Sequence, residues 1–195
     1  GTAAVTSQRL VLNDAVNPAY ISYSASNLAC FDTGAACIRF KYTPLFNDYP
    51  ATEQVLFSIG TNGSDNNYFV LRNDHTVPWG YFTCTIKDKA GTDMANYQVT
   101  FTAVSGQEYE IELNFDLTTD SSNVQMFVDG VQKFVTTLSI CTGRDATSGL
   151  TWLIGADAKS PTSASNLPNC KIRDLCIFNT RKHTGAYTPA SDNYA

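Results

Sequence analysis

Residues 108–134 read EYEIELNFDLTTDSSNVQMFVDGVQKF, and the period of this stretch decides the fold class. Tyr109, Ile111, Leu113 and Phe115 alternate with Glu108, Glu110, Glu112, Asn114 and Asp116. Successive side chains of an extended chain point to opposite faces, so this is a strand with one apolar and one polar face. The polar segment 117–123 reverses the chain. Val124, Met126 and Val128 then alternate with Gln125, Phe127 and Asp129 in a second strand. Asp129-Gly130 suits the positive φ angles of a type I′ turn, and a third strand returns over 131–136. Three antiparallel strands cannot bury their apolar face alone, so the rest of the chain must supply a second sheet.

The same alternation recurs on both sides of this hairpin. Ile38, Phe40 and Tyr42 oppose Arg39 and Lys41; Val55, Phe57 and Ile59 share a face. Trp79, Tyr81, Thr83 and Thr85 oppose Phe82, Cys84 and Ile86, and Tyr97, Val99, Phe101 and Ala103 share a face. Residues 1–17 and 18–26 offer short edge strands, 68–72 is apolar until Arg72, and Asn73-Asp74 reads as a turn. Leu150–Ile154 and Lys171–Phe178 are the last strands, and the tail from Asn179 is polar. No window holds a helical period. Roughly ten to twelve short strands separated by turn signals predict an all-β, antiparallel two-sheet jelly-roll sandwich, one domain over 1–195.

Composition narrows the partners. The net charge is −5 and the one basic cluster is Arg181-Lys182-His183, which argues against nucleic acid and anionic lipid as partners. No apolar run approaches the length of a membrane span, so no membrane insertion is expected. Gly1-Thr2-Ala3-Ala4 does not read as a signal peptide. The six cysteines, at 30, 37, 84, 141, 170 and 176, allow either three disulfides or buried free thiols. Cys170 and Cys176 share one strand and lie too far apart to bond each other.

The order of the elements resembles a known family. Phe57-Ser58-Ile59-Gly60, then Gly106-x-x-Tyr109-x-Ile111, Phe115-Asp116 and Val124-x-Met126-Phe127-Val128-Asp129-Gly130 are similar to a laminin-G-like domain. Leu153-Ile154-Gly155-Ala156 followed by Ile172-Arg173-Asp174-Leu175-Cys176-Ile177-Phe178-Asn179 extends the likeness over roughly 37–189. The closing Arg181-x-x-Thr184-Gly185-x-Tyr187-Thr188-Pro189 resembles the end of such domains in phage and virus structural proteins. The cysteines depart from the family's usual C-terminal disulfide. The resemblance implies a concanavalin A-like lectin/glucanase sandwich. It further implies a non-catalytic recognition module for a glycan or a glycosylated cell-surface receptor, in virus or phage attachment or in cell adhesion. Such a module is extracellular or on a virion surface, and either a homo-oligomer or part of a larger chain. A structural or decoration domain of a virion is the alternative from another class, and a glycoside hydrolase or polysaccharide lyase is the third.

Three groups of residues carry possible chemistry. Glu108, Glu110 and Glu112 share a strand face, as the paired carboxyls of a retaining glycosidase would, and enzymes of the same superfamily carry such a strand. No aromatic lies on that face of this strand to form a sugar subsite, so the face reads as solvated and its substitution as nearly neutral. The loops 60–67, 139–148 and 157–169 are rich in Asn, Asp, Ser and Thr. A rim site is therefore expected at Asp65, Asn66, Asn67 and Asp157, with Asp65 and Asp157 as oxygen ligands for a Ca²⁺ ion. Trp79 or Tyr81 would be its stacking platform, against a core role for Trp79; Trp152 reads as core. His75 and His183 read as loop or surface residues. Asn62-Gly63-Ser64 is a glycosylation sequon.

Overall fold

The structure, a computed structural model, describes residues 3–6, 9–12, 20–24, 35–76, 79–116, 123–137, 150–160 and 169–189. Among these residues there is no helix. The strands run β1 (Ala3–Thr6), β2 (Arg9–Leu12), β3 (Ile21–Ser24), β4 (Ala35–Pro44), β5 (Gln54–Gly60), β6 (Phe69–Thr76) and β7 (Trp79–Lys87). They continue as β8 (Asp93–Thr100), β9 (Tyr109–Asp116), β10 (Asn123–Val128), β11 (Val131–Thr137), β12 (Thr151–Ile154) and β13 (Cys170–Phe178). The large sheet has the order β1-β2-β13-β4-β9-β10-β11, and the small sheet β3-β12-β5-β6-β7-β8. Every pairing is antiparallel. The all-β sandwich expected from the alternation is the fold observed.

Among the described side chains, the apolar faces of the central strands meet between the sheets. Ile38, Phe40 and Tyr42 of β4 and Ile111, Leu113 and Phe115 of β9 pack on Phe57, Phe69, Leu71, Phe82 and Ile86 of the small sheet. Aromatic rings interlock at the centre: Phe82 and Phe101 have centroids 4.4 Å apart, and Tyr42 meets Phe82 edge-on at 5.7 Å. Trp152 packs against Phe57, as its alternation with Leu150 and Ile154 suggests. At one end the open edges of the two sheets come together where Tyr97 of β8 stacks on Phe134 of β11.

Asn73 and Asp74 do not turn the chain. β6 runs through them to Thr76, with Asn73 opposite Phe82 and Asp74 opposite Tyr81. The reason is tertiary: Asn73 points inward and its amide donates to the Tyr42 hydroxyl at 3.1 Å, so a residue with turn propensity is fixed as a core strand residue.

The reading of three disulfides does not hold, because Cys37, Cys84, Cys170 and Cys176 are free; Cys30 and Cys141 lie outside the described residues. Cys37, Cys84 and Cys170 are buried, and burial pushes their thiols up, that of Cys84 to about 12. Thiolate is the reacting species, so these three are both shielded and unreactive. Among the described cysteines, iodoacetamide should alkylate the half-buried Cys176 first in the native protein. Peptide mass spectrometry showing Cys84 modified as fast as Cys176 would contradict the closed core.

Candidate functional site

A sandwich has two outer faces, and here they differ. On the large sheet, Glu110, Glu112 and Asn114 of β9 and Gln125 and Phe127 of β10 point away from the core. The alternation predicts a wet face, but all five are buried, Glu112 with 0% and Glu110 with 2% exposure. The cover is the chain's own tail. His183 Nδ1 lies 2.8 and 2.9 Å from the two Glu112 oxygens, and Asn114 donates to Glu112 at 2.6 Å. Tyr187 donates its hydroxyl to Glu110 at 2.9 Å, and the Lys41 ammonium lies 3.1 Å from the other Glu110 oxygen. His183 stacks on Tyr187 with centroids 3.6 Å apart. Burial, then the Glu112 and Glu110 charges, push the Tyr187 phenol far above its ordinary value, so it remains a donor. Glu108, by contrast, pairs with Arg173 of β13 at the edge of this layer. The solvated acidic face expected for Glu110 and Glu112 is thus corrected: the two carboxylates are sealed and satisfied from inside the molecule. The readable signal was the one basic cluster of the chain, Arg181-Lys182-His183, which is the natural counterpart of an acidic strand face.

The rim residues come together only in part. Gly63 N–H donates to the Lys159 carbonyl at 3.0 Å, which joins the loop after β5 to the loop after β12. The Lys159 ammonium pairs with Asp65, and its hydrogen bond holds the Asp65 carboxyl below its usual value. Asp157 is buried; one of its carboxylate oxygens accepts from the Tyr68 hydroxyl and from the Lys159 backbone N–H, both at 2.9 Å. The two carboxylates expected to ligate Ca²⁺ therefore converge on a lysine, and Asp157 is spent on the local turn and on Tyr68. This donor set does not fit a Ca²⁺ ion. Among the described residues no group of three or more His, Cys, Asp or Glu side chains could hold a metal. Asn66 is exposed, and Asn67 sits at φ 55° with its N–H on the Asp88 carbonyl, completing the turn.

Tyr81 is not part of that rim. The 60–67 loop packs beside Lys87 and Asp88 at one end of β7, whereas Tyr81 lies six residues back, roughly 20 Å away along the strand. Trp79 opens β7, and its side chain lies outside what the structure describes, as does that of His75. The loops 139–148 and 161–168 also lie outside the described residues.

Tyr81 belongs instead to the outer face of the small sheet. Because Phe82, Cys84 and Ile86 face the core, Tyr81, Thr83 and Thr85 face outward, and the register aligns polar neighbours across three strands. Asp74 pairs with Tyr81 and Tyr81 with Thr100; Arg72 pairs with Thr83 and Thr83 with Gln98. One row further, Thr85 donates to the Asn96 amide oxygen at 3.4 Å. Arg72 is held between Glu53 at 3.3 Å and Asp74 at 3.7 Å. Burial raises the Glu53 carboxyl above its ordinary value despite this arginine. Thr83 is fully buried, yet its hydroxyl finds no hydrogen-bond partner among the described residues. An orphaned hydroxyl of this kind costs about 1–3 kcal/mol unless a ligand or water answers it. A depression of about 430 Å³ lies against Asn96, Tyr97 and Gln98 on the neighbouring strand. The sequence reading found Tyr81 but not this row, because its members sit on three separate strands and only the register unites them.

No protein-family model matches the chain, and no curated protein matches it in sequence. In structure it is similar to the native heptameric SAP-like pentraxin of Limulus polyphemus, with a TM-score of 0.64 and 13% identity over 90% of this chain and 77% of that one. The LG4-5 domains of the mouse laminin α1 chain give a TM-score of 0.60 and 10% identity over 96% of this chain. The chain spans 47% of that two-domain laminin structure. The CBM40 module of the Ruminococcus gnavus IT-sialidase, solved with α2,3-sialyllactose, gives 0.59 and 11% over 86% of this chain and 95% of that one. At such identities the likeness is one of fold: an antiparallel two-sheet jelly-roll sandwich.

Proposed function

We propose that the chain is a non-catalytic glycan-recognition module that binds sugar on the outer face of the small sheet. The observation that carries this reading is the row of polar groups that the register brings together on that face, Asp74–Tyr81–Thr100 and Arg72–Thr83–Gln98. Amide, hydroxyl and carboxylate groups in register offer the donors and acceptors that sugar hydroxyls require, and half-buried Tyr81 offers a ring to stack on. The CBM40 structure shows that a sandwich of this fold can hold sialyllactose. In this reading the glycan is carried by a surface receptor, and the module serves attachment or adhesion outside the cell. The hydrolase alternative is weakened by the sealing of Glu110 and Glu112, which leaves no room at those carboxylates for a substrate and an attacking water.

A glycan array identifies the ligand, and titration of the best binder tests the face. Tyr81→Ala and Gln98→Ala should each weaken binding by about tenfold, as expected for loss of a stacking ring or a pair of hydrogen bonds. Asp65→Ala should leave affinity unchanged, because its partner is Lys159. Affinity lost in Asp65→Ala but retained in Tyr81→Ala would move the site to the rim.

A further inference from the structure

On the outer face of the small sheet, charge is satisfied and hydrogen bonding is not. Arg72 of β6 stands opposite Thr83 of β7. Its guanidinium is shared between two carboxylates: Nη1 lies 3.3 Å from Glu53 and Nε 3.7 Å from Asp74. Lys87, at the end of β7, is shared in the same way, 3.1 Å from Asp93 and 3.8 Å from Asp65. Asp65 also takes the Lys159 ammonium. In these pairs the carboxylates Glu53, Asp65, Asp74 and Asp93 outnumber the cations Arg72, Lys87 and Lys159, so the balance of charge is negative. The Glu53 carboxyl registers the surplus: burial raises it first, and the Asp74 and Asp157 charges add to that against the pull of Arg72.

The unmet demand is for hydrogen bonds. At 3.7 Å the Asp74 oxygen is beyond hydrogen-bond reach of Arg72 Nε, and that N–H has no hydrogen-bond partner among the described residues. The fully buried hydroxyl of Thr83 has none either. The two orphaned groups belong to directly paired residues. In the same rows Tyr81, Gln98 and Thr100 add uncharged donors and acceptors.

We propose that the glycan bound on this face is neutral, built of hexose or N-acetylhexosamine units, and that the face rejects sugars bearing a carboxylate or a sulfate. The inference rests on the glycan reading above and assigns the class of its ligand. An anionic sugar needs a cation with charge to spare. Arg72 and Lys87 each answer to two carboxylates already, so an anion has to displace one of these or lie beside it. Like charges brought together in a partly desolvated site cost affinity, and the cost falls on the acidic sugar alone. A neutral hydroxyl meets no such barrier. It accepts from one neighbour and donates to another, which suits an N–H and a hydroxyl carried by paired residues. The ring of Tyr81 packs on the apolar face of a pyranose whether or not the sugar is charged, so stacking supplies affinity and the ion pairs supply the selection.

An array of matched pairs, each a neutral glycan and its sialylated or sulfated form, tests the selection on the full chain, with lactose and α2,3-sialyllactose as one pair. The neutral member of a bound pair should bind about tenfold more tightly than the acidic one. Added salt should shrink that ratio, because screening acts on the repulsion and not on stacking or hydroxyl contacts. Glu53→Gln/Asp74→Asn, which releases Arg72, should bring the ratio to about one. If that variant does not fold, the salt series on the parent protein decides. Acidic members that bind as tightly as neutral ones, through an interaction that Tyr81→Ala weakens, would overturn the neutral-glycan inference and leave the glycan face standing. A preference for neutral members that neither salt nor the double variant moves would overturn it too, since charge would not be the selector. Binding to no pair, or binding that Tyr81→Ala and Gln98→Ala leave intact, would overturn the glycan reading itself and this inference with it.

Discussion

Glu110→Ala should destabilise the protein by about 3–5 kcal/mol, the range for removing one partner of a buried ion pair. Its side chain is 1% exposed and that of Lys41 11%, so neither charge has water to turn to while the sheet stays closed. Alanine would strand the Lys41 ammonium and remove the bond that Glu110 accepts from the Tyr187 hydroxyl. A glutamate on a wet strand face would cost no more than about 0.5 kcal/mol, so urea denaturation separates the two situations cleanly. The companion double variant Lys41→Met/Glu110→Leu should recover most of the loss, because two apolar groups of similar size need no partner. A midpoint for Glu110→Ala within error of the parent would show that the carboxylate is not held as described.

Gly130→Ala has the second largest effect. Gly130 closes the β10–β11 turn at φ 73°, following Asp129 at φ 50°, which is the reversal that Asp-Gly announces in the sequence. Placing a side chain there costs about 1–2 kcal/mol in backbone conformation alone. The site is also occupied: a Cβ on Gly130 would lie 1.8 Å from the Tyr187 carbonyl oxygen and 3.0 Å from Pro189. The tail must leave, taking the Tyr187–Glu110 bond with it, so the total loss should reach about 3 kcal/mol. Trypsin supplies the second reading, since Arg181 and Lys182 should be cut far faster in the variant than in the parent. A variant that resists trypsin as the parent does would mean that the tail does not sit on this turn. Gly106, which also has positive φ but open space around it, provides the comparison: Gly106→Ala should carry only the backbone cost.

These two residues show what the sequence could and could not convey. Alternation fixed which side chains of β4, β7, β9 and β10 face the core, because period two is a property of the extended backbone itself. The same alternation labelled Glu110 and Glu112 as solvent-facing, because it reports the opposite face and not what covers that face. The cover comes from a segment some seventy positions later in the chain, with no periodicity of its own. Its charges alone gave a hint. Asn73 failed for a related reason: turn propensity is local, and the Tyr42 hydroxyl that overrides it is contributed by the other sheet. At the expected rim site the carboxylates have partners within the chain. Loops rich in Asp and Asn are equally suited to binding a ligand and to binding their own backbone and lysines, and here Asp157 and Asp65 do the latter. Tyr81, Thr83 and Gln98 carry no shared motif, since register alone brings them side by side.

The place of β13 in the large sheet has a consequence for biosynthesis. This late strand is inserted between β2 and β4, with Cys170 opposite both Leu12 and Pro44. The β1–β2 hairpin thus joins the sheet only through a strand made after nearly everything else, and β12 plays the same part between β3 and β5. Neither layer can be completed on the ribosome while residues 150–178 are still inside it. Folding must wait for contacts between the two ends of the domain, which makes it slow and leaves the β4 edge open in the interval. A stall or premature stop before Cys170 would therefore release a chain that presents a bare sheet edge to its neighbours, and such products should need chaperone capture or rapid degradation to stay out of aggregates.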